Sequence, residues 1–316
     1  MVETRPVDQR RDLTLHQMRC FLAVIEAGSV SRAAARLGIS QSAMSRLLAQ
    51  MESALGTVLA ERTHHGLNLT GSGQALRQAC HEILQANEAM RSEIDALSGQ
   101  VRGTCRVAMP ESVGRVLFLP LVQSISAQHS DSTLRVMAAF SAAMPELLLS
   151  GQLDVAVVTN THSHAGLVTE ALAHEEFVLI GRPGDAVVAD GTIWMQALAE
   201  LPLILTAWSG GIRAPIDAAM VKAQVEPEIR LEIDSNSAII DLVQAGEGCS
   251  ILPYSAVHRE VSSGLLNAAV IREPAIMRRL LLATPANRPV SMFSRAVLAK
   301  VKSLAVSHAA LGGWTV

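Results

Sequence analysis

Two sets of side chains along this 316-residue chain could do chemistry, and neither has the pattern of a catalytic centre. There is no GxSxG elbow, no Walker A loop, no GxGxxG behind a strand and no HExxH. The ten histidines are scattered, without ligand spacing. Cys20, Cys80, Cys105 and Cys249 lie far apart with no CxxC, which points to buried spectator thiols before a metal site, a disulfide or a redox pair. No cofactor or metal is expected. The first set is Gln41, Ser42, Ser45 and Arg46, directly after Ser40. Met44, Leu47, Leu48, Met51 and Leu55 recur there at helical spacing as one apolar stripe. The opposite face is slim and polar. Such a face fits the major groove of DNA, where Gln and Arg pair with base edges.

The elements that position this face can be read on either side of it. Val30, Ala33, Ala34 and Leu37 form a short stripe just before it, ended by Gly38. Helix, tight glycine turn, helix is a helix-turn-helix. Two ordinary helices of a bundle are the alternative. A preceding helix over Thr14–Ala27 would pack Leu15, Met18, Phe21, Leu22 and Ile25 against the pair. Behind it, Gly66 could turn a hairpin between Leu59 and Leu69. The arm 1–12 is polar and has no apolar core of a secretory signal, and no run approaches the roughly 18 apolar residues of a membrane span. A cytoplasmic protein without a membrane partner is expected. The chain's net charge is −3, but residues 1–70 hold eight arginines against six acids. Placement on DNA would therefore rest on geometry as much as on bulk attraction.

The stretch Ser29-Val30-Ser31-Arg32-Ala33-Ala34-Ala35-Arg36-Leu37-Gly38-Ile39-Ser40-Gln41-Ser42-Ala43-Met44-Ser45-Arg46 resembles the N-terminal signature of LysR-type transcriptional regulators. The match begins at Phe21 and continues through Leu55-Gly56, Glu61-Arg62-Thr63 and Leu69-Thr70. The resemblance implies a winged helix-turn-helix over 1–70 on double-stranded DNA. Arg32 and Arg62 would hold phosphates, and Ser40, Ser42 and Ser45 would touch backbone or bases. His65 stands where relatives often carry Arg or Lys, so its grip on phosphate would depend on pH.

From Leu76 to Leu97 the residues Leu76, Cys80, Ile83, Asn87, Met90, Ile94 and Leu97 repeat in steps of four and three, a heptad seam with one polar member. The seam needs a partner, either its own domain or a second copy. The resemblance implies a linker helix over 71–98 that pairs two chains into a homodimer, a hinge at 99–103, and often tetramers built as dimers of dimers. RNA polymerase is a further candidate partner.

Beyond Thr104 short apolar runs alternate with helical stretches, an α/β pattern with mostly parallel strands. The strands expected are Cys105–Met109, Leu134–Ala138, Asp154–Val158, Phe177–Ile180, Leu203–Thr206, Ile229–Ile233 and Ser250–Leu252. The resemblance implies a periplasmic-binding-protein-like effector domain over 104–316, with lobe one at 104–178 and 267–316 and lobe two at 179–266. The second chemical set lies here. Ser112, Ser141, Thr159, Thr206, Ser209, Asn236 and Ser237 fall at strand ends or helix starts, where open α/β sheets bind ligands. Simple helix capping is the alternative. Arg213 is the nearest cation and Trp208 a candidate apolar wall. Some relatives that bind dicarboxylates carry Arg where Thr159 stands, so a di-acid is not expected. A small anion, an organic acid or a polar aromatic acid would suit the hydroxyls. A solute-binding module or an enzyme acting without DNA is the rival reading.

Overall fold

The computed structural model describes residues 12–63, 66–97, 101–159, 164–207, 211–310 and 312–316. The chain divides into two compact units, Met1–Met90 and Arg91–Val316.

The first unit starts with α1 (Leu15–Ala27), α2 (Val30–Leu37) and α3 (Gln41–Leu55). Each has a hydroxyl at its N-cap. Thr14 forms a reciprocal capping box with Gln17, Ser29 caps α2, and Ser40 Oγ accepts from Ala43 N at 3.1 Å. Gly38 ends α2 with a φ of 67°, a conformation that costs glycine little. Two small clusters hold the helices. Cys20, Val24, Val30, Ala33, Ala34 and Met44 form one, and Met18, Phe21, Leu22, Met51, Leu59 and Cys80 the other. The hairpin follows as β1 (Ala60–Thr63) and β2 (Gly66–Leu69), antiparallel, with Thr63 opposite Gly66. Gly66 is thus the first residue of β2 and pairs with Thr63, while residues 64 and 65 lie outside the described residues.

The long helix α4 (Gly71–Leu97) is locked to the hairpin's base. Thr70 Oγ1 donates to Val58 O at 2.7 Å and accepts from Gly73 N at 3.1 Å, while Thr70 N reaches Leu59 O at 3.0 Å. A Cβ on Gly73 would collide with Leu59 O. The expected seam is divided. Cys80 is fully buried in the unit's own core and Leu76 packs beside it, so these two need no second copy. Ile83, Met90, Ile94 and Leu97 are 43%, 52%, 57% and 90% exposed.

In the second unit the first elements are β3 (Thr104–Met109), α5 (Glu111–Gln128), β4 (Thr133–Ala138), α6 (Met144–Leu149), β5 (Val155–Thr159) and the long β6 (Leu167–Gly181). Then come α7 (Ala186–Ala189), β7 (Thr192–Trp194), a 3-10 turn, β8 (Pro202–Leu205), α8 (Arg213–Ala223), β9 (Glu228–Glu232), α9 (Asn236–Ala245), β10 (Ser250–Pro253) and α10 (Tyr254–Ser262). The chain closes with β11 (Asn267–Arg272), β12 (Met277–Pro285), α11 (Met292–Ala309) and β13 (Trp314–Thr315). The curled main sheet runs β4-β3-β5-β12-β6-β11-β7, with β10 and β13 also on β6; β8 and β9 pair separately.

The expectation of mostly parallel strands holds only away from the middle. The pairs β3–β4, β3–β5, β8–β9 and β7–β11 are parallel, whereas β6 is antiparallel to every strand it pairs with. The run expected at Phe177–Ile180 is the far end of this fifteen-residue strand. Two cores meet along it. Leu172 and Ala173 pack with Val107, Leu117, Leu280 and Phe293, while Phe177 and Leu179 pack with Leu203, Ile251 and Ile271. Ala269, Ile271 and Ile276, which the expected division places in lobe one, sit in the second of these.

A buried ion pair sits at the crossing. Arg278 on β12 faces Glu175 on β6 in the register, with Nη2 and Nε at 2.6 and 2.7 Å from Oε2; the side chains are 1% and 0% exposed. Arg278 Nη2 also donates to Ser112 Oγ at 2.7 Å, and Glu175 Oε1 accepts from Ser255 N at 2.9 Å. A buried charge without its partner is strongly disfavoured, so Glu175→Gln should cost about 3–5 kcal/mol. Thermal unfolding should show Glu175→Leu with Arg278→Met to be less damaging than Glu175→Gln alone; a double variant at least as unstable as that single one would contradict this account.

Candidate functional site

On the first unit the α3 face has the form its sequence implies. Met44 and Met51 are buried, and Gln41, Ser42 and Arg46 are exposed beside the exposed cap Ser40; Ser45 is half-buried. Local bonds shape the polar face without consuming it. Ser40 Oγ and Ser42 Oγ lie 3.0 Å apart, and Arg46 Nε donates weakly to Ser42 O at 3.4 Å. Arg32 is exposed one helix earlier, and neighbouring Arg36 pairs with Glu26. The backbone of Arg62 is on β1; its side chain, and all of His65, lie outside the described residues.

In the second unit a cleft of about 290 Å³ opens between the lobes. Lobe one supplies the start of α5 and the turn after β4; lobe two supplies the end of β8, the start of α9 and Ile212. Of the residues expected there, Ser112, Ser141, Thr206 and Asn236 line it, all 8% exposed or less. Ser141 Oγ accepts from Thr159 N at 3.2 Å and Thr159 Oγ1 at 3.0 Å. Thr159 therefore holds Ser141 and is not itself in the lining. Gly211 from lobe two approaches it so closely, at a φ of 108°, that a Cβ there would collide with Thr159 Oγ1. Asn236 spans the lobes with a hydrogen bond from Nδ2 to Glu111 Oε2 at 3.4 Å.

Four further expectations for this site need correction or fall outside the described residues. Arg213 is not a lining cation. Its guanidinium is held by Asp217 at 2.6 Å, Glu232 at 2.8 Å and Thr206 O at 2.9 Å. Ser237 is exposed and shares a bond with the α9 cap Ser235, outside the lining. Ser209 and Trp208 lie outside the described residues.

Glu111, Phe140, Asp234 and Arg278 line the cleft without having been expected. Arg278 had no signal of its own in the sequence. Exposure alternates along Met277-Arg278-Arg279-Leu280, and of the two arginines it is Arg278 that faces inward. Glu111 opens α5 directly after a strand, at a helix start with no side-chain cap. Nothing in the sequence distinguishes Phe140 from an ordinary turn residue.

All four cysteines are buried and free. Burial pushes the Cys105 thiol up to about 12 and Cys80 to about 11, and raises Cys20 and Cys249 as well. Among the described residues no group of three or more His, Cys, Asp or Glu could hold a metal ion, and no helix is long and apolar enough to cross a membrane.

Comparison with known proteins ties the two units to one family. Residues 15–74 match the bacterial regulatory helix-turn-helix protein, lysR family, and residues 98–305 match the LysR substrate binding domain. The chain is 28% identical over 289 residues to the RuBisCO operon transcriptional regulator of Acidithiobacillus ferrooxidans, covering 91% of this chain and 93% of that one. It is 29% identical over 274 residues to a probable hydrogen peroxide-inducible genes activator of Mycobacterium avium, covering 86% and 88%. In fold it is similar to a full-length OxyR point variant from Pseudomonas aeruginosa, with a TM-score of 0.72 at 23% identity over 93% and 95% of the two chains. The chain belongs to the LysR-type family of transcriptional regulators, DNA-binding proteins whose action a small-molecule effector modulates.

Proposed function

We propose that this regulator reads its operator with Gln41 and Arg46 of α3, holds phosphates with Arg32 and Arg62, and senses its effector in the cleft between the lobes. The observation that carries the reading is the pairing of an exposed polar α3 face with a cleft lined by Ser112, Ser141, Thr206 and Asn236. Ser40, Ser42, Ser45 and His65 complete the DNA surface. The working division is a head over 1–70, a linker over 71–98, a hinge at 99–103 and an effector domain over 104–316. Lobe two of that domain takes in 267–276. No catalytic role is assigned, and the protein is read as cytoplasmic, acting beside RNA polymerase.

Second copies are proposed to meet on the exposed half of α4. Ile83, Met90, Ile94 and Leu97 form an apolar row whose exposure rises from 43% at Ile83 to 90% at Leu97. A peroxide-sensing role, suggested by relatives such as the probable hydrogen peroxide-inducible genes activator, is the second reading. It needs a thiolate at neutral pH, and burial keeps these thiols protonated there.

Genome-wide footprinting of the bound sites tests the main reading directly. Gln41→Ala should cost roughly 1–3 kcal/mol at the operator and relax sequence preference, whereas Arg62→Ala should weaken all DNA alike and lower the salt slope by about one. Unchanged specific binding in Gln41→Ala would remove α3 from the groove. For the pairing surface, Ile83→Asp with Met90→Asp should give monomers in light scattering. Operator binding should then fail, because half-sites at multiples of about 34 Å can no longer be held together. Dimers of normal affinity would place the interface elsewhere. Alkylation by iodoacetamide at neutral pH should label the folded chain slowly and accelerate only as the pH climbs toward the raised thiol values, about 11 for Cys80 and about 12 for Cys105. Rapid neutral labelling, with peroxide changing DNA affinity, would favour the second reading.

A further inference from the structure

The C-terminal end of the second unit touches two cores on very little backbone pairing. Trp314 packs in the core that holds Val107, Leu117 and Phe293. Gly313, at a φ of 98°, lies so close to the Tyr254 ring that a Cβ there would collide with it. Tyr254 packs beside the other core, with Ile180, Ile239 and Ala256. The strand that makes this connection, β13, has two residues, with Trp314 opposite Glu175 and Thr315 opposite His174. So few ladder bonds contribute little net stability, and the seat of β13 depends on what its side chains meet.

Trp314 meets the His308 ring edge to face, with centroids 4.7 Å apart. His308 stands in the last turn of α11 and is 8% exposed. Its other neighbour is the His258 ring of α10, at 6.0 Å. His258 Nδ1 lies 3.0 Å from Ser255 O, and a carbonyl only accepts, so that nitrogen carries a hydrogen. His308 Nε2 and Trp314 Nε1 are buried, and neither has a hydrogen-bond partner among the described residues. The place suits an imidazole and not an imidazolium. The charges around it are already matched, Glu175 of β6 by Arg278 of β12 and Glu260 of α10 by Arg115 of α5. His174 of β6 and Arg259 of α10 are exposed. Burial first, and then His258, hold His308 below its ordinary value of 6.5, while Glu175 pulls the other way.

We propose that β13 is a proton-operated clasp, seated on β6 while His308 is neutral and released once that imidazole takes a proton. A charge on His308 must reach water, and the carbonyls at the end of α11 favour a cation that has done so. Moving the ring outward removes the surface on which Trp314 rests. Trp314 and Gly313 then leave together, which uncovers the β6 edge at Glu175 and the face of Tyr254. By linkage, the seated form binds the proton less tightly than the released one. The seat is therefore at full strength above pH 6.5 and weakens as the pH falls below it. The effector domain thereby gains a response to acid at the strand where its two cores meet.

Hydrogen exchange on the full-length chain tests the clasp, read as protection of the peptide that carries Trp314 and Thr315 and corrected for the intrinsic pH dependence of exchange. From about pH 7.5 to about pH 5 that protection should fall roughly tenfold or more, in step with the His308 titration followed by NMR. His308→Gln cannot take the charge and should keep its protection across the range. His258→Gln removes a neighbouring positive charge and should move the fall to higher pH. Protection that does not change with pH, or that falls where His308 does not titrate, overturns the proposal. So does an unchanged acid response in His308→Gln, or its loss in His258→Gln. Should His308→Gln fail to seat β13 even at neutral pH, the wild-type titration decides: a His308 that titrates below 6.5 together with the loss of protection supports the clasp, and one that titrates at or above 6.5 refutes it.

Discussion

A guanidinium and a carboxylate that exclude water from each other set the constraint on which the second unit depends. Arg278 and Glu175 are opposite one another where β6 and β12 pass from one lobe's core to the other's. Neither charge is tolerable there alone, so the register of the two strands is specified at that point. The pair's remaining bonds reach outward, to Ser112 at the start of α5 and to the backbone of Ser255 at the start of α10. Even β13 joins at the same level, with Trp314 opposite Glu175. The cleft floor is therefore fixed by the same interaction that holds the lobes' shared strands in step. A rigid floor matters for a sensor. A ligand shifts a conformational equilibrium only by the difference in its affinity for the two states, and a floor that yielded would erase that difference.

Much of this was legible from residue order, and the misses have physical causes. The three helices of the first unit were readable because their apolar stripes, hydroxyl caps and terminal glycines all agree at α1, α2 and α3. Strands buried on both faces, such as Val155–Thr159, were equally plain. The near half of β6 was not, because Val168, Thr169, Glu170 and Ala171 are exposed and read as loop. β12 was hidden by its two adjacent arginines, whose opposite environments only the partner strand reveals. The expected cleft residues were found where they had helix starts or strand ends to mark them, as at Ser112, Ser141 and Asn236. Arg213 misled because an arginine near a helix start looks available until Asp217 and Glu232 are seen to hold it.

The long α4 shows why a periodic pattern does not name its partner. Its apolar positions repeat evenly from Leu76 to Leu97, yet the environment changes part of the way along. Cys80 closes the core beneath Phe21 and Met51, and beyond it Ile83 and Met90 are about half exposed, at 43% and 52%. One seam thus serves two tasks in succession, and a sequence repeat carries no mark of where the first task ends.

The join between α4 and the hairpin has a mechanical meaning. Thr70 ties both neighbours of the β1 entry to the first turn of the helix, and Gly73 leaves no room for a side chain between that turn and the carbonyl of Leu59. A joint this tight behaves as a spline and not as a swivel. Torque that reaches the first turn of the helix is passed to the base of the hairpin through these bonds.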